Sequence, residues 1–299
     1  MRIKHLFLSI LIGYIIQKDL VAGCPSEAMF SGDETPYTEE VSNQEEPSWM
    51  DGCEDYATAF LKDGHILTIG PEFYNLTRIR HSDTKTNTKQ NGTPIGVRAT
   101  YDYIKRYKFY CGAQIFWATG ILNGKTAGEE KIRSSWTDEQ IEGNVGYTFQ
   151  YKYFPHVSFT PFGGYGYYRE TNKFIHPTPV PLKFITKYGY ISYGFLSSVL
   201  VNSWLSIGVN LRLRSPNNPQ CVIKDPDFDA VKLKIGERIQ YRIETPLIYY
   251  DRFLCNLFQL GLVPFYEKRD YGKWADFPVS YVKTTIQTYG LNLQLIFRF

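Results

Sequence analysis

The last eleven residues of the chain place apolar and polar side chains at alternate positions. In an extended strand, Tyr289, Leu291, Leu293, Leu295, Phe297 and Phe299 would share one face. The opposite face would carry Gly290, Asn292, Gln294 and Arg298. Such a strand has one face suited to hydrocarbon and one suited to water. The chain is therefore restricted to sheets that separate these two environments.

The same alternation recurs from about residue 66 onward, as in Ile95–Tyr103 and Leu205–Leu213. We predict ten strands, at residues 65–80, 94–104, 108–121, 139–153, 157–170, 184–198, 203–215, 233–248, 253–267 and 281–299. The first and sixth are the weakest: Pro71 removes a backbone hydrogen-bond donor from the first, and the sixth has a weak alternation. If either is not a strand, the predicted number falls to eight, because barrels of this kind have an even number of strands.

Connections of two lengths separate these strands. Four are tight, and the other five, at 81–93, 122–138, 171–183, 216–232 and 268–280, are longer and rich in Gly, Pro, Asn, Asp and Lys. Alternation of short turns with long loops is typical of membrane barrels, in which the short turns face the periplasm. We predict an all-β, closed, antiparallel transmembrane β-barrel of up-and-down topology over residues 63–299, with both ends on the periplasmic side.

The residues before the barrel differ in character. Residues 1–23 combine a basic start with a short apolar run, which predicts a secretory signal peptide. Val21-Ala22-Gly23-Cys24 also resembles a lipobox, which implies lipidation of Cys24; the alternative is ordinary cleavage with Cys24 as a plain thiol. Residues 24–62 are rich in Asp and Glu and poor in aliphatics, so we predict an acidic periplasmic leader that does not order by itself.

The C-terminal stretch from Tyr289 to Phe299 resembles the closing strand of bacterial outer-membrane β-barrels. In that family the terminal aromatic residue belongs to the signal read by the barrel assembly machinery. The resemblance implies residence in a Gram-negative outer membrane, with outer-membrane lipid and lipopolysaccharide as partners. It also implies a host or other surface ligand for the long loops.

Charged residues on the polar faces are predicted to point into the lumen. A barrel of about ten strands is narrow, so long side chains of both signs would pair across the axis and occlude it. This favours a non-catalytic structural or surface-interaction barrel; the alternative is a narrow channel, anion-preferring because six of the predicted inward residues are arginines. These residues are Arg98, Asp102, Glu142, Lys152, Glu170, Arg212, Arg214, Arg238, Arg242, Glu244 and Arg298.

Enzymatic, metal and nucleic-acid functions find little support in the sequence. Ten-stranded omptin proteases place an Asp pair and an Asp-His pair at the extracellular rim, and His81-Ser82-Asp83 does not reproduce that pattern. The five cysteines form no Cys-x-x-Cys pair, so no zinc site and no cofactor are predicted. Basic residues are scattered along the chain, which argues against nucleic acid as a partner.

Overall fold

The structure, a computed structural model, describes residues 64–81, 87–104, 108–126, 128–151, 154–178, 181–202, 204–225, 229–250, 258–274 and 281–298. The predicted signal peptide, the predicted acidic leader, Cys24 and Phe299 lie outside these ranges. No helix in the described ranges is long and apolar enough to cross a membrane. The strand segments are β1 (Gly64–Arg80), β2 (Thr88–Gly92), β3 (Ile95–Ile104), β4 (Phe109–Lys125), β5 (Lys131–Tyr147), β6 (Phe149–Tyr151), β7 (Phe154–Ile175), β8 (Lys183–Asn202), β9 (Leu205–Gly208), β10 (Asn210–Lys224), β11 (Val231–Lys234), β12 (Gln240–Glu244), β13 (Leu247–Tyr250), β14 (Phe258–Tyr271) and β15 (Thr284–Arg298).

These fifteen segments form ten barrel strands. The pairs β2–β3, β5–β6 and β9–β10 and the trio β11–β12–β13 are each successive pieces of one strand, because their members pair with the same neighbours. Each barrel strand is antiparallel to the next one along the chain, and β1 pairs with β15 from Ile66–Arg298 to Arg80–Thr284. The predicted closed, antiparallel, up-and-down β-barrel is confirmed, with ten strands in the part of the chain that the structure describes.

The predicted loops were too long. The loop expected at 122–138 is reduced to residues 126–130, because β4 continues to Lys125 and β5 begins at Lys131. The connection between β7 and β8 is likewise residues 176–182 rather than 171–183. The strands therefore extend well past the ends assigned to them, and the difference in length between the two sets of connections is smaller than expected.

The reason for this error is a reversal of polarity along the strands. In the first half of β5, Ile132 and Trp136 point inward and are buried, whereas Arg133 and Thr137 point outward. In the second half, Ile141 and Val145 point outward and are exposed. A search for apolar residues on the outward face finds only this second half. The barrel thus has an apolar exterior in one part and an apolar interior in the other.

An apolar belt surrounds the first of these parts. Its side chains face outward from nearly every barrel strand, on alternate residues, and are exposed in the structure. The belt includes Ile69, Phe73, Ile95, Val97, Ile115, Trp117, Ile141, Val145, Phe159, Tyr165, Tyr167, Ile191, Tyr193, Val209, Ile243, Leu260, Leu262, Tyr289, Leu293 and Leu295. Such a continuous exposed surface needs an apolar environment around it.

Candidate functional site: the lumen network

A network of buried charges crosses the barrel at the level of the apolar belt. Glu72 on β1 accepts hydrogen bonds from Arg98 on β3, whose Nε lies 2.7 Å from the carboxylate. From another part of the wall, Arg242 on β12 binds the same carboxylate through two nitrogens, at 3.1 and 3.0 Å. Asn292 on β15 donates a further bond of 3.2 Å. Glu72 thereby ties together four segments of the barrel wall.

Glu267 on β14 is a second centre of the network. Its carboxylate lies 2.6 Å from Arg214 Nη1, 2.7 Å from Arg269 Nε and 3.1 Å from Arg242 Nη1. Glu267 and all three arginines are almost completely buried. Since Arg242 bonds both Glu72 and Glu267, the two centres are directly connected.

Glu142 on β5 forms a third centre. Arg212 Nε lies 3.1 Å from one carboxylate oxygen, and Arg214 Nε lies 3.7 Å from the other. The Tyr190 hydroxyl and the Asn144 amide donate further bonds of 2.8 and 2.9 Å. Arg214 therefore links this centre to Glu267.

The network continues toward the part of the barrel with the apolar interior. Arg269 Nη1 lies 2.8 Å from Asp138 and also donates to the Tyr168 hydroxyl. Glu170 accepts a hydrogen bond of 3.2 Å from Tyr271, and Arg78 lies 4.0 Å from the same carboxylate. The charged residues thus form a connected series from the level of the apolar belt to the part of the barrel with the apolar interior.

The paired charges balance. Six carboxylates, from Glu72, Asp138, Glu142, Glu170, Glu244 and Glu267, face six guanidinium groups, from Arg78, Arg98, Arg212, Arg214, Arg242 and Arg269. Removing one partner of such a pair would leave an uncompensated buried charge, which costs several kcal/mol. These pairs contribute no net charge, and the anion preference of a channel remains a prediction.

A hydrophobic cluster fills the lumen beyond the charges. Its members point inward from many strands, and Trp136, Leu122, Ile286 and Tyr190 are almost fully buried. Aromatic rings contact one another there, as in the edge-to-face pair Phe174–Phe184. The remaining buried members include Tyr74, Leu76, Phe116, Ile132, Tyr168, Tyr188, Cys221, Leu233, Ile235, Phe265, Tyr271 and Tyr281. This part of the lumen is packed as a protein core.

A cavity of about 220 Å³, lined by both polar and apolar residues, lies on the other side of the network, at the end of the barrel where β1 begins and β15 ends. Asp102, Arg212, Glu244 and Arg298 line it together with Ser, Thr, Asn and Gln side chains. Tyr110 donates a hydrogen bond of 2.6 Å to Asp102. The lumen thus holds open space at this end and is filled by charged and apolar side chains beyond it.

The predicted inward residues fall into three groups. Arg98, Glu142, Glu170, Arg214 and Arg242 are buried inside the barrel. Asp102, Arg212, Glu244 and Arg298 are partly buried beside the cavity. Lys152 lies outside the described residues.

Arg238 requires correction, because it is exposed. The alternation that placed it inside was read as a strand from residue 233 onward. In the structure, β11 ends at Lys234 and the next ladder, β12, begins only at Gln240. Arg238 therefore lies in the segment between the two, where the alternation of inward and outward side chains does not apply.

Several central residues of the network were missed by the sequence analysis. Asp138 and Arg269 fell in segments read as loops, and Glu267 was the last residue of its predicted strand. Glu72 had a usable signal, since it lies between the outward residues Ile69 and Phe73 and so shares the inward phase. Extending each alternation past the apolar half of its strand would have found the others.

The C-terminal strand has the predicted orientation over its described part. Tyr289, Leu293 and Leu295 are exposed on the outer face, and Leu291 and Phe297 are half-buried. Asn292 and Ile296 are buried on the inner face. The role of this strand in assembly remains a prediction.

The histidine at the end of β1 contacts a threonine hydroxyl. His81 Nε2 lies 3.3 Å from the Thr285 hydroxyl, which itself donates a 2.8 Å hydrogen bond to Asp270. The Thr285 hydroxyl proton is thus directed to Asp270 and not to the imidazole. In the ranges that the structure describes, no group of three or more His, Cys, Asp or Glu side chains could hold a metal ion.

No protein-family model matches the sequence, and no curated protein matches it. Solved structures with a similar fold include the outer membrane protease OmpT from Escherichia coli, at 9% identity, 79% coverage of this chain, 97% of that chain and a TM-score of 0.49. The translocator domain of the autotransporter NalP from Neisseria meningitidis is similar at 10% identity, 84% and 96% coverage and a TM-score of 0.42. The transport unit of the autotransporter AIDA-I from Escherichia coli is similar at 10% identity, 84% and 98% coverage and a TM-score of 0.40.

Proposed function

We propose that this chain is a non-catalytic β-barrel of a bacterial outer membrane. On β4 the outward apolar residues run from Phe109 to Ile121. At about 3.3 Å per residue and a tilt of about 40°, this run spans roughly 30 Å along the barrel axis, close to the thickness of a hydrocarbon layer. In the part of the chain that the structure describes, closure of the ring through β1 and β15 gives each of the ten barrel strands two neighbours, as a lipid environment requires.

The observation that carries the functional proposal is the balanced ion-pair network across the lumen. It fills the barrel at belt level with side chains that are held from opposite walls, as Glu72 is held by both Arg98 and Arg242. The hydrophobic cluster closes the lumen again beyond it. Two consecutive closures favour a structural or surface-interaction barrel over a pore.

The second candidate is a narrow solute channel, and the 220 Å³ cavity is the observation that favours it. The cavity already reaches Arg212 and Glu244. Conduction would need rearrangement of both the charged network and the hydrophobic cluster, so we place this function second. With near-equal numbers of both charges, such a channel would have weak ion preference.

The partners follow from the proposed location. The barrel assembly machinery would insert the chain, outer-membrane lipid would surround the apolar belt, and lipopolysaccharide would contact the strand ends on the cell-surface side. The polar ends of β4, β5, β7 and β8, which extend beyond the belt, would offer the surface for a host or other external ligand.

Two measurements test this proposal. Cell fractionation should recover the chain in the outer membrane, and it should migrate faster on gels before heating than after, as closed barrels do. Liposomes that contain the purified barrel should then swell no faster in small sugars than protein-free liposomes. Recovery in the soluble periplasmic fraction would refute the location, and rapid swelling would favour the channel.

A further inference from the structure

Six lysines form a basic patch on the outer surface above the apolar belt. They project from four adjacent segments of the wall, and five of the six side chains are exposed. Their outward direction follows from their neighbours, since Phe184, Thr186, Cys221 and Leu233 on the same strands are buried inside. The basic patch consists of Lys173, Lys183, Lys187, Lys224, Lys232 and Lys234.

The register places these like charges directly opposite one another. Lys173 on β7 is paired with Lys183 on β8, and Lys183 is paired with Lys224 on β10. Two outward rows further down, Arg169 lies opposite Lys187, and Arg169 also lies 3.6 Å from Glu139. Like charges in directly opposite positions of a sheet destabilise it. The arrangement is therefore unfavourable unless an anion from outside the chain neutralises it.

The chain supplies little compensation itself. In the described ranges, no carboxylate lies within 4.0 Å of the six lysines, and Lys234 Nζ lies 5.7 Å from the ring centre of Trp274. Elsewhere above the belt, Lys125 lies 2.6 Å from Glu129, and Lys268 lies 3.1 Å from Asp270. Lys89 and Lys131 also lie directly opposite Lys125, but Glu129 accompanies that row. The basic patch has more lysines than this row and, in the described ranges, no carboxylate partner.

The position of the basic patch relative to the apolar belt indicates which anion it would bind. Arg169 and Lys187 lie two residues beyond Tyr167 and Gly189, and Tyr167 is one of the exposed residues at the upper edge of the apolar belt. Lipid whose acyl chains cover the belt would hold its headgroup at this level. Between the two rows of cations, the partly exposed Ile185 lies opposite Val222.

We propose that the basic patch binds the phosphate groups of a phosphorylated glycolipid, lipopolysaccharide, whose acyl chains lie against the belt below. This inference rests on the proposed outer-membrane location. It goes further in assigning the lipid to one side of the barrel and to named side chains. Lys173, Lys183 and Lys224 form the upper row and would contact phosphate through mobile ammonium groups.

The test uses the purified, folded full-length barrel in zwitterionic detergent, with purified lipopolysaccharide and its enzymatically dephosphorylated form as probes. The variant Lys173→Gln/Lys183→Gln/Lys224→Gln removes the upper row. The matched control Lys89→Gln/Lys125→Gln/Lys283→Gln removes three exposed lysines from the other side of the barrel, on β2, on β4 and just before β15. Binding is measured by titration, and thermal unfolding is measured with and without lipid.

We expect the upper-row variant to bind phosphorylated lipopolysaccharide about 100-fold more weakly, at roughly a factor of five for each lysine near an anionic surface. The control should bind as the unmodified protein does, and the unmodified protein should bind the dephosphorylated lipid weakly. Without lipid, the upper-row variant should unfold at the same or a higher temperature, because repulsion has been removed. This result separates lost binding from lost folding.

Unchanged binding by the upper-row variant would overturn the proposal, as would equal binding of phosphorylated and dephosphorylated lipid by the unmodified protein. Either result would leave the fractionation result, and with it the proposed location, intact. A wrong location would instead appear in the fractionation. The two failures are therefore distinguishable.

Discussion

Replacement of Glu267 by glutamine tests the energetic importance of the lumen network. The carboxylate faces Arg214 at 2.6 Å, Arg269 at 2.7 Å and Arg242 at 3.1 Å, and all four groups are almost completely buried. Glutamine has nearly the same shape, so the change removes the charge without opening a cavity. Three guanidinium groups would then face one another with less compensation. We expect a loss of roughly 3 to 5 kcal/mol in the free energy of unfolding.

A surface pair of the same length provides the control. Lys125 and Glu129 also lie 2.6 Å apart, but their side chains are 61% and 77% exposed. Water screens this pair, so Glu129→Gln should cost at most about 1 kcal/mol. The difference between the two variants therefore measures the effect of burial at a constant distance.

The assay is urea unfolding of the barrel in lipid vesicles, followed by tryptophan fluorescence and by gel mobility without heating. The double variant Arg214→Met/Glu267→Gln should recover part of the loss, because Glu142 retains Arg212 at 3.1 Å after Arg214 is removed. The reasoning would be refuted if Glu267→Gln and Glu129→Gln reduced stability equally, or if the double variant were the sum of its single changes.

Two further substitutions test the two environments of the strands. Leu293→Arg places a charge in the exposed apolar belt and should cost roughly 2 to 4 kcal/mol in vesicle unfolding, whereas Gln294→Arg, beside the cavity, should be much milder; equal losses would show that the faces are misassigned. Trp136→Ala empties part of the hydrophobic cluster and should cost about 3 to 5 kcal/mol. The outward, 51% exposed Trp117 is its control, and a Trp117→Ala variant that is equally unstable in detergent would contradict the packed interior.

The sequence predicts the architecture of this barrel because the apolar belt imposes a period of two on every strand that crosses it. Strand number, direction and inward phase follow from residues such as Leu293 and Ile141. The strand ends do not follow in the same way, because beyond the belt the polarity reverses and Trp136 points inward where a belt residue would point outward. Segments in which the inward residues are apolar and the outward residues are polar were therefore interpreted as loops.

The individual ion pairs were less predictable than the strands. Alternation indicates that Arg98 and Arg242 point inward, but it does not indicate that both bind Glu72, which is separated from Arg242 by 170 residues. Such pairing depends on strand stagger and on which levels face each other across the lumen. These are properties of the closed ring and not of any single strand. Arg238 shows a different limit. Alternation predicts whether a side chain points inward only where the residue is paired in the sheet.

Planar-bilayer recording of the purified barrel tests the central claim, that ion pairs and a hydrophobic cluster occlude the lumen. A general porin inserted under the same conditions provides the positive control for incorporation and detection. If Glu72, Glu142 and Glu267 hold their arginines as the structure shows, the barrel should give no conductance or only small, infrequent openings. Large, stable and weakly selective conductance by the unmodified protein would contradict the occluded lumen and establish the channel function instead.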